Sequence, residues 1–438
     1  MDGFTFKHIC KKDIVKIPKK MKNDTFKPLI ISTSDGGGGA ARAAMRLHQA
    51  FLKKQIKSKM MVQSKLTNYD SVIGPKKSND RITSLIRPYI DNAILRIYKK
   101  RKKTTWSVSL FHANIIKQIH SLEPNIVHLH WINGGFVSIE NISKLSVSIV
   151  WTLHDMWALT GGCHYTYDCE RYKDKCGYCP QLGSKHECDI SRWEWKRKRK
   201  NWDKLDFTII ASSNWMKECV KKSTLLKNNK ITVIPNPIDT ELFRPIDKKI
   251  SRAVLGLPLD KKLILFSAFS ASTDKRKGGQ YLEKALRKIF YDYKLKDIDL
   301  VVLGATAPPE NIETFPNTHY FGYFNDDISQ ILLYSAVDLT VAPSIQENLS
   351  MTVMESLSCG TSCIAFRIGG MPDMIKHMEN GYLVRPFDED ELAKGIALLI
   401  ENDNLRDSLS KNARIKAVDS FSMGVISKKM LKIYKSLL

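Results

Sequence analysis

Two glutamates with seven residues between them are the strongest chemical feature of the sequence. Glu347 follows a predicted strand at 339–342, and Glu355 lies inside a helix predicted over 350–358. A carboxylate accepts hydrogen bonds from neighbouring hydroxyls, and a helix start favours a phosphate. The pair therefore predicts a ligand with two polyhydroxyl ends and a phosphate, bound at the carboxyl edge of a parallel sheet. The alternative is an ordinary capped helix with a surface glutamate.

A glycine loop is a second candidate for ligand binding. Four consecutive glycines, which include Gly37 and Gly38, separate a predicted strand from a predicted helix. Such a loop lets the backbone approach a ligand, and the helix start behind it attracts an anion. The loop is not the dinucleotide-binding fingerprint, because no acidic residue follows at the distance expected for ribose binding. A flexible tight turn explains the loop equally well.

Four cysteines crowd into a short central stretch. Cys163, Cys169, Cys176 and Cys179 are separated by five, six and two residues. Four thiolates can hold zinc tetrahedrally, so the cluster predicts a structural zinc site. Only one pair has the two-residue spacing of a zinc knuckle, and a buried thiol cluster or local disulfides are the alternatives.

These residues require a scaffold of buried strands that alternate with helices. The alternation occurs twice, and three prolines within 235–245 separate the two series. Such a pattern predicts mostly parallel sheets covered on both faces. We therefore expect an α/β protein with two doubly wound, Rossmann-like domains and a boundary near Arg244. The predicted strands are at 29–32, 59–62, 126–130, 149–153, 207–211 and 231–234, then at 263–267, 299–303, 339–342, 362–366 and 381–384.

The composition indicates a folded protein with an anionic partner. The 438 residues are 43% hydrophobic and 26% charged, with a formal charge of +24, which argues against a disordered or fibrous chain. No apolar run approaches the roughly 18 residues that cross a bilayer, and the first residues lack a signal-peptide core. The nine cysteines are odd in number and unevenly spread, as is typical of a reducing compartment. We expect a cytoplasmic protein.

The segment over 68–109 is the main candidate for membrane contact. Its apolar residues fall near helical spacing, and it includes a run of cations within 96–103. A basic amphipathic helix can lie on an anionic membrane surface. A solvated helix packed on its own domain is equally consistent with the pattern.

Several motifs together resemble glycosyltransferase family 4, a group of retaining enzymes with the two-domain GT-B fold. The resemblance runs from about residue 29 to the C-terminus, and the stretch at 151–164 is similar to a bacterial subgroup that builds cell-surface polysaccharides. The motifs that carry it are 37–47, Asn236 with Pro237 and Asp239, Lys277 with Gly278, Glu347 with Glu355, 369–374 and 380–384.

The resemblance implies a role for each matching residue. Glu347 would contact the hydroxyls of the donor sugar, and Glu355 the ribose of the nucleotide. Lys277 would lie against the diphosphate, and His154, at the end of a strand, would position the donor sugar. His154, Glu347 and Lys277 form the implied catalytic set. The family usually has an arginine a few residues before the lysine, whereas only Arg276 is available here. The other implied donor-binding residues are Gly37, Gly38, Asn348, Leu349 and Ser350.

The resemblance also implies an arrangement of domains. Residues 1–244 would form an acceptor domain that carries the basic segment and a cysteine-rich insert at 161–190. Residues 245–420 would form the nucleotide-sugar domain. A helix over 421–438 would cross back to the first domain.

The implied function is retaining transfer of a sugar from a nucleotide-sugar to a saccharide on a polyprenyl diphosphate, in capsule, O-antigen or exopolysaccharide biosynthesis. The enzyme would be peripheral to the anionic inner face of the cell membrane. No catalytic cofactor is expected, because a helix start and Lys277 can bind the diphosphate. A nucleic-acid-binding protein, suggested by the charge, and a sugar-nucleotide epimerase are the alternatives. Nucleic acid is disfavoured as a partner, since Glu347 and Glu355 would lie where its phosphates should bind.

Overall fold

The computed structural model describes residues 26–111, 113–267, 274–306 and 317–438. The start of the predicted acceptor domain, residues 1–25, lies outside the described residues. So do residues 268–273, which are most of the stretch before Lys277 where the family usually has its arginine.

The first half of the chain forms a seven-stranded parallel sheet in the order β3-β2-β1-β4-β5-β6-β7. The inner strand β1 pairs with β2 on one side and β4 on the other, with Ile30 opposite Met60 and His128. Leu29, Ile30 and Ile31 are all buried, because helices cover both faces of the sheet. The strands are β1 Pro28–Ser34, β2 Lys59–Ser64, β3 Val72–Ile73, β4 Ile126–Leu129, β5 Ser148–Leu153, β6 Phe207–Ala211 and β7 Lys230–Val233.

The second half forms a six-stranded parallel sheet in the order β10-β9-β8-β11-β12-β13. Separate apolar clusters fill its two faces. The α/β class with two doubly wound domains is thereby confirmed. The strands are β8 Lys262–Ser267, β9 Ile298–Leu303, β10 Thr318–Phe321, β11 Leu339–Ala342, β12 Cys363–Phe366 and β13 Gly381–Val384.

Fourteen α-helices lie within the described ranges. None of these helices combines the length and the apolar character that a membrane span requires. In the first half they are α1 Gly39–Lys53, α2 Ser78–Ala93, α3 Ile116–Ser121, α4 Ile139–Ile142, α5 Ile190–Trp202 and α6 Asn214–Lys222. In the second they are α7 Lys248–Leu255, α8 Gly279–Tyr291, α9 Asp327–Ala336, α10 Met351–Ser358, α11 Met371–Met374, α12 Glu389–Glu401, α13 Asp403–Phe421 and α14 Met423–Lys435.

The last helix, α14, packs against α1 of the first domain. The ring of Tyr434 lies 5.5 Å from that of Phe51, and its hydroxyl is 2.7 Å from Nδ1 of His128. The chain enters α14 beside the link between the domains, where the amide of Met423 donates to the carbonyl of Ile238. The C-terminal helix and the proline-rich link therefore join the two domains at the same place.

Two strands were missed by sequence reasoning. β3 has only two residues, and β10 has the sequence Thr-His-Tyr-Phe, without an apolar run. Both are edge strands, and β10 is only half-buried. A strand that packs on one face, or that pairs over two residues, leaves too weak a pattern to be read from sequence.

Candidate active site

The carboxylate of Glu347 is the centre of the candidate site. Lys277 donates to its Oε2 at 2.6 Å, and Arg276 donates to the same atom at 3.0 Å. The hydroxyl of Tyr165, from the first domain, lies 3.3 Å from Oε1. Burial would raise the pKa of Glu347, but the two cations outweigh it and bring that pKa to about 2. The carboxylate is therefore ionised and holds the two cations at the cleft.

Arg276 and Lys277 both reach Glu347 because they lie on one tight helical turn, Lys275–Lys277, between β8 and α8. Arg276 also contacts Asp274 at 3.0 Å, and its guanidinium stacks 4.7 Å from the ring centre of Tyr165. Gly278 ends the turn at φ 76°, where an added Cβ would lie 1.8 Å from the carbonyl of Pro343. Only glycine lets this turn pack against the end of β11.

A pair of glycines, Gly369 and Gly370, supports the loop of Glu347. The amide of Gly370 donates to the carbonyl of Glu347. An added Cβ on Gly369 would lie 1.8 Å from that carbonyl, and one on Gly370 would lie 1.8 Å from the carbonyl of Asn348. The loop is therefore fixed by backbone contact with residues 369–370, which explains why glycines occur at these positions.

Asn348 links the two domains. Its amide nitrogen donates to the carbonyls of Leu153 and His154, both at 3.0 Å, and its carbonyl oxygen accepts from Ser213 at 2.6 Å. The side chain of Leu349 lies in the core of the second domain, and Ser350 caps α10. The side chains of these three predicted donor-binding residues thus make contacts within the protein. Only the backbone groups of these three residues remain available to bind a ligand.

His154 follows β5 directly and is held by a second histidine. Its Nε2 lies 2.9 Å from Nδ1 of His130, whose ring is buried. Burial lowers the pKa of His154 to about 4 and that of His130 well below the usual range, so both rings are neutral near pH 7. The pair shares one proton along this bond.

The position of that proton follows from the other nitrogen of His130. Nε2 of His130 is buried and has no hydrogen-bond partner in the described part of the chain. An orphaned N–H is rarer in protein interiors than an orphaned acceptor, so the favoured tautomer has its proton on Nδ1 of His130. His154 then accepts at Nε2 and carries its own proton on Nδ1. In this tautomer Nδ1 of His154 is a hydrogen-bond donor.

Glu355 is buried and faces two arginines of the first domain. Arg46 donates to its Oε1 at 2.9 Å, and Arg42 lies 3.0 Å from the same oxygen. The hydroxyl of Tyr334 lies 3.2 Å from Oε2. Arg42 also pairs with Asp327 at 2.6 Å. The predicted ribose-binding carboxylate is therefore part of an ion-pair cluster that spans the two domains.

The glycine loop faces this cluster from the first domain. Gly37 has φ 90°, and Gly38 caps α1, whose first turns carry Arg42 and Arg46. Space is open where a Cβ would extend from Gly37 or Gly38, whereas one on Gly39 would meet Met351 at 3.0 Å. The loop thus lies beside the start of α10 across the cleft.

The four cysteines of the insert line one small cavity of about 20 Å³. Burial raises the pKa of Cys176 to about 12 and also raises that of Cys163 and Cys179. In the described ranges, no three or more His, Cys, Asp or Glu side chains are arranged to hold a metal ion. Three of the four thiols are buried and Cys169 is partly exposed, and the zinc site stays a prediction for metal analysis to test.

Sequence reasoning missed Tyr165, His130, Arg42 and Arg46. The arginines carried a usable signal, since they lie one turn apart on the helix that follows the glycine loop. His130 and Tyr165 carried none, because their roles depend on which strands and loops become neighbours.

Two models of known protein families match the chain. The model of Glycosyltransferase Family 4 matches residues 37–242, and the model of Glycosyl transferases group 1 matches residues 247–416. The two models together span both domains. The chain belongs to the family 4 glycosyltransferases. The predicted family and enzyme class are therefore confirmed.

Curated relatives of this family 4 glycosyltransferase match it over part of their length. An uncharacterized glycosyltransferase of Methanocaldococcus jannaschii is 27% identical over 238 residues, which are 52% of this chain and 59% of the relative. A UDP-Gal:alpha-D-GlcNAc-diphosphoundecaprenol alpha-1,3-galactosyltransferase of Escherichia coli is 28% identical over 225 residues, 49% of this chain and 56% of the relative. The chain thus spans little more than half the length of these relatives.

Solved structures confirm the GT-B fold of this family 4 glycosyltransferase. Anabaena HepE, in complex with UDP and glucose, superposes with a TM-score of 0.65 at 16% identity. The superposition covers 94% of this chain and 100% of HepE. At this identity the likeness concerns the fold alone.

Proposed function

We propose that this enzyme transfers a sugar from a nucleotide-sugar, with retention of its anomeric configuration, to a saccharide carried on a polyprenyl diphosphate. The observation that carries the proposal is the convergence of Lys277 and Arg276 on Glu347, beside Asn348 and His154. Two cations and a carboxylate at the facing strand ends suit a diphosphate joined to a sugar.

The two cations can stabilise the leaving group of the proposed reaction. A nucleoside diphosphate gains negative charge as the sugar departs, and Lys277 and Arg276 can neutralise it. When the diphosphate draws the cations away, the carboxylate of Glu347 becomes free to accept hydrogen bonds from sugar hydroxyls. His154 then donates to the same sugar from the other domain. No step in this scheme needs a metal ion.

The nature of the donor and acceptor rests on the relatives. HepE was crystallised with UDP and glucose, and the Escherichia coli relative is named for transfer to a diphosphoundecaprenol-linked GlcNAc. A lipid diphosphate is also the kind of anionic partner that a chain with a formal charge of +24 attracts. We place the enzyme in the cytoplasm, peripheral to the membrane, in the synthesis of a capsule, O-antigen or exopolysaccharide.

The test is a transfer assay with a panel of radiolabelled nucleotide-sugars and membranes that supply lipid-linked saccharides. The expected result is release of nucleoside diphosphate together with a longer lipid-linked product. NMR of that product should show that the new linkage has the same anomeric configuration as the donor. Lys277→Ala should slow both the release and the transfer about 100-fold or more, whereas Lys275→Ala, on the same turn but exposed, should not. Conversion of the donor without any acceptor into an isomeric nucleotide-sugar would instead indicate an epimerase.

A further inference from the structure

Helix α2 carries an exposed apolar stripe on the first domain. Its side chains are large, and most of them are more than two-fifths exposed. They are Ile82 (56%), Leu85 (67%), Ile86 (45%), Tyr89 (76%) and Ile90 (44%), followed in the next turn by Ile94 (38%) and Ile97 (69%). Single exposed apolar residues are normal, but a continuous stripe of this kind marks an interaction surface.

The stripe lies on the side of α2 that faces away from the protein. Residues spaced by three and four, as Ile82, Leu85, Ile86 and Tyr89 are, share one face of a helix. The opposite face buries polar side chains, Ser84 and Asp91. The usual orientation of an amphipathic helix on a globular domain is therefore reversed.

Asp91 fixes this reversed orientation. Its carboxylate accepts hydrogen bonds from the backbone amides of Ser109, Leu110 and Phe111, at 3.0, 2.7 and 3.2 Å. A helix rotated to bury its apolar stripe would leave these amides and the carboxylate without their partners. The orientation is thus built into the domain.

Cations surround the stripe. The segment 76–103 contains ten Lys and Arg residues and only two acidic residues, one of which is the buried Asp91. Arg81 and Arg87 flank the stripe on α2, and the exposed run at 99–103 follows it. An apolar face with a positive border is complementary to a bilayer with anionic headgroups.

We propose that the apolar face of α2 inserts into an anionic lipid surface, with its stripe among the acyl chains and its cations at the phosphates. The inference rests on the proposed function, because it names the element that brings the enzyme to its lipid-linked acceptor. The apolar stripe contributes most of the binding, and the basic run at 99–103 adds to it.

The position of α2 supports this role. The loop that follows β4 packs directly against the helix, since a Cβ on Gly135 would lie 2.8 Å from Cβ of Arg87. The same loop begins at His130, which holds His154 at the cleft. The helix is therefore connected to the cleft through the loop that follows β4.

Co-sedimentation with vesicles tests the proposal. The parent protein should bind vesicles of phosphatidylglycerol and phosphatidylcholine, and only weakly vesicles of phosphatidylcholine alone. The triple variant Leu85→Gln, Ile86→Gln, Tyr89→Gln should bind the anionic vesicles at least about tenfold more weakly, at low and at high salt. Replacing the five cations at 99–103 by Gln should weaken binding mainly at low salt.

A matched control comes from the second domain. Ile250, Val254 and Leu259 are 58, 64 and 61% exposed, and changing all three to Gln should leave vesicle binding unchanged. Equal binding by the parent and the α2 variant, or equal loss in the control, would overturn the proposal. So would a parent dimer, seen by sedimentation velocity, that the α2 variant dissociates, because the stripe would then join two copies.

Two further measurements separate this inference from the proposed function. Brominated lipids should quench the tryptophan fluorescence of a Tyr89→Trp variant more strongly than that of the parent. This measurement reports insertion and does not depend on enzyme activity. Transfer to a short, soluble acceptor should be the same for the parent and the α2 variant. Vesicle insertion without any transfer would refute the proposed function alone, and transfer without insertion would refute the inference alone.

Discussion

At the scale of single residues, one buried carboxylate organises the site. Glu347 stays charged because Lys277 and Arg276 compensate for its burial, and the same contacts keep both cations pointed into the cleft. Both cationic side chains are more than four-fifths buried, and an unpaired buried charge is costly, so Glu347 stabilises them in this position. The site is therefore prepared for an anion before one arrives.

Lys277→Ala should reduce kcat more than donor affinity. Its charge matters most when the diphosphate leaves, and removing one such group from a site costs about 100-fold or more in kcat. Steady-state kinetics with a fixed acceptor, together with donor titration by calorimetry, separates the two effects. Lys275→Ala is the control. An equal loss in kcat and in affinity would mean that Lys277 binds the ground state as tightly as the transition state.

Glu355→Ala should weaken donor binding by about 1.5–3 kcal/mol, since ribose hydroxyls lose a charged acceptor. Glu355→Gln keeps the shape and one acceptor oxygen and should lose less. The measurement is nucleoside diphosphate affinity by calorimetry, with the exposed Glu283→Ala as control. A folded Ala variant with the parent's affinity would remove Glu355 from the binding site.

The sequence predicted the identity of the charged residues better than their partners. Glu347, Lys277 and Arg276 were all named, and the structure brings both cations within 3.0 Å of a single carboxylate oxygen of Glu347. The arginines that face Glu355 were not named, because contact between α1 and α10 depends on how the two domains close. A pattern within one element cannot report contacts between elements.

At the scale of elements, the site depends on three backbone supports made by glycine. Gly278 packs on Pro343, and Gly369 and Gly370 pack on the loop of Glu347. The regular strands that lead to these loops were predicted from apolar runs, whereas the edge strands β3 and β10 were not. Central strands are buried on both faces and so leave a strong pattern; edge strands and backbone contacts do not.

Gly369→Ala should inactivate the enzyme and destabilise the second domain. The residue has φ 52°, a conformation that costs a residue with a Cβ about 1–2 kcal/mol, and the new Cβ would overlap the carbonyl of Glu347. Urea unfolding and the transfer assay measure the two effects. Gly322→Ala, where space is open, should change neither. Normal activity of Gly369→Ala would show that the loop has room to adjust.

The cysteine-rich insert should contain buried, slowly reacting thiols. Cys163, Cys176 and Cys179 are buried and their pKa values are raised, whereas Cys188 is exposed. In the folded protein, iodoacetamide should therefore label Cys188 before the other cysteines of the insert, as mass spectrometry of tryptic peptides will show. Plasma emission spectroscopy of the same sample tests the predicted zinc. One equivalent of metal, lost in Cys176→Ser, would show that the thiols rearrange around an ion.

At the scale of the whole molecule, hydrogen bonds link the two domains, and some of them involve buried histidine rings. Asn348 donates a hydrogen bond to the carbonyl of His154, just after β5. The hydroxyl of Tyr434, from α14, is hydrogen-bonded to His128 on β4. The first domain therefore contains several histidines whose environment depends on correct assembly of both domains.

Stability should fall as the pH drops below about 6.5, the usual pKa of an unfolded histidine. Burial lowers the pKa of His48 and His154 to about 4 and that of His128 to about 3. Between these values the unfolded chain binds protons that the folded chain does not, so protonation favours unfolding. Each histidine contributes a slope of about 1.4 kcal/mol per pH unit at most.

The measurement is the urea midpoint between pH 7 and pH 5, a range in which most carboxylates stay ionised. His128→Asn should flatten the pH dependence, and the exposed His186→Gln should leave it unchanged. A midpoint that does not move in this range would show that these rings are protonated in the folded protein.

The arginine pair that faces Glu355 has a consequence for the exchange of nucleotides. If Glu355 binds the ribose, each arriving donor must displace Arg42 and Arg46, and each departing product gives them back their partner. The carboxylate then alternates between two sets of partners. The measured affinity is the difference between the two, so it is lower than the contacts to the nucleotide alone would give. Product release is favoured, because Arg42 and Arg46 pair with Glu355 again when the nucleotide leaves, and the carboxylate is not left without a partner.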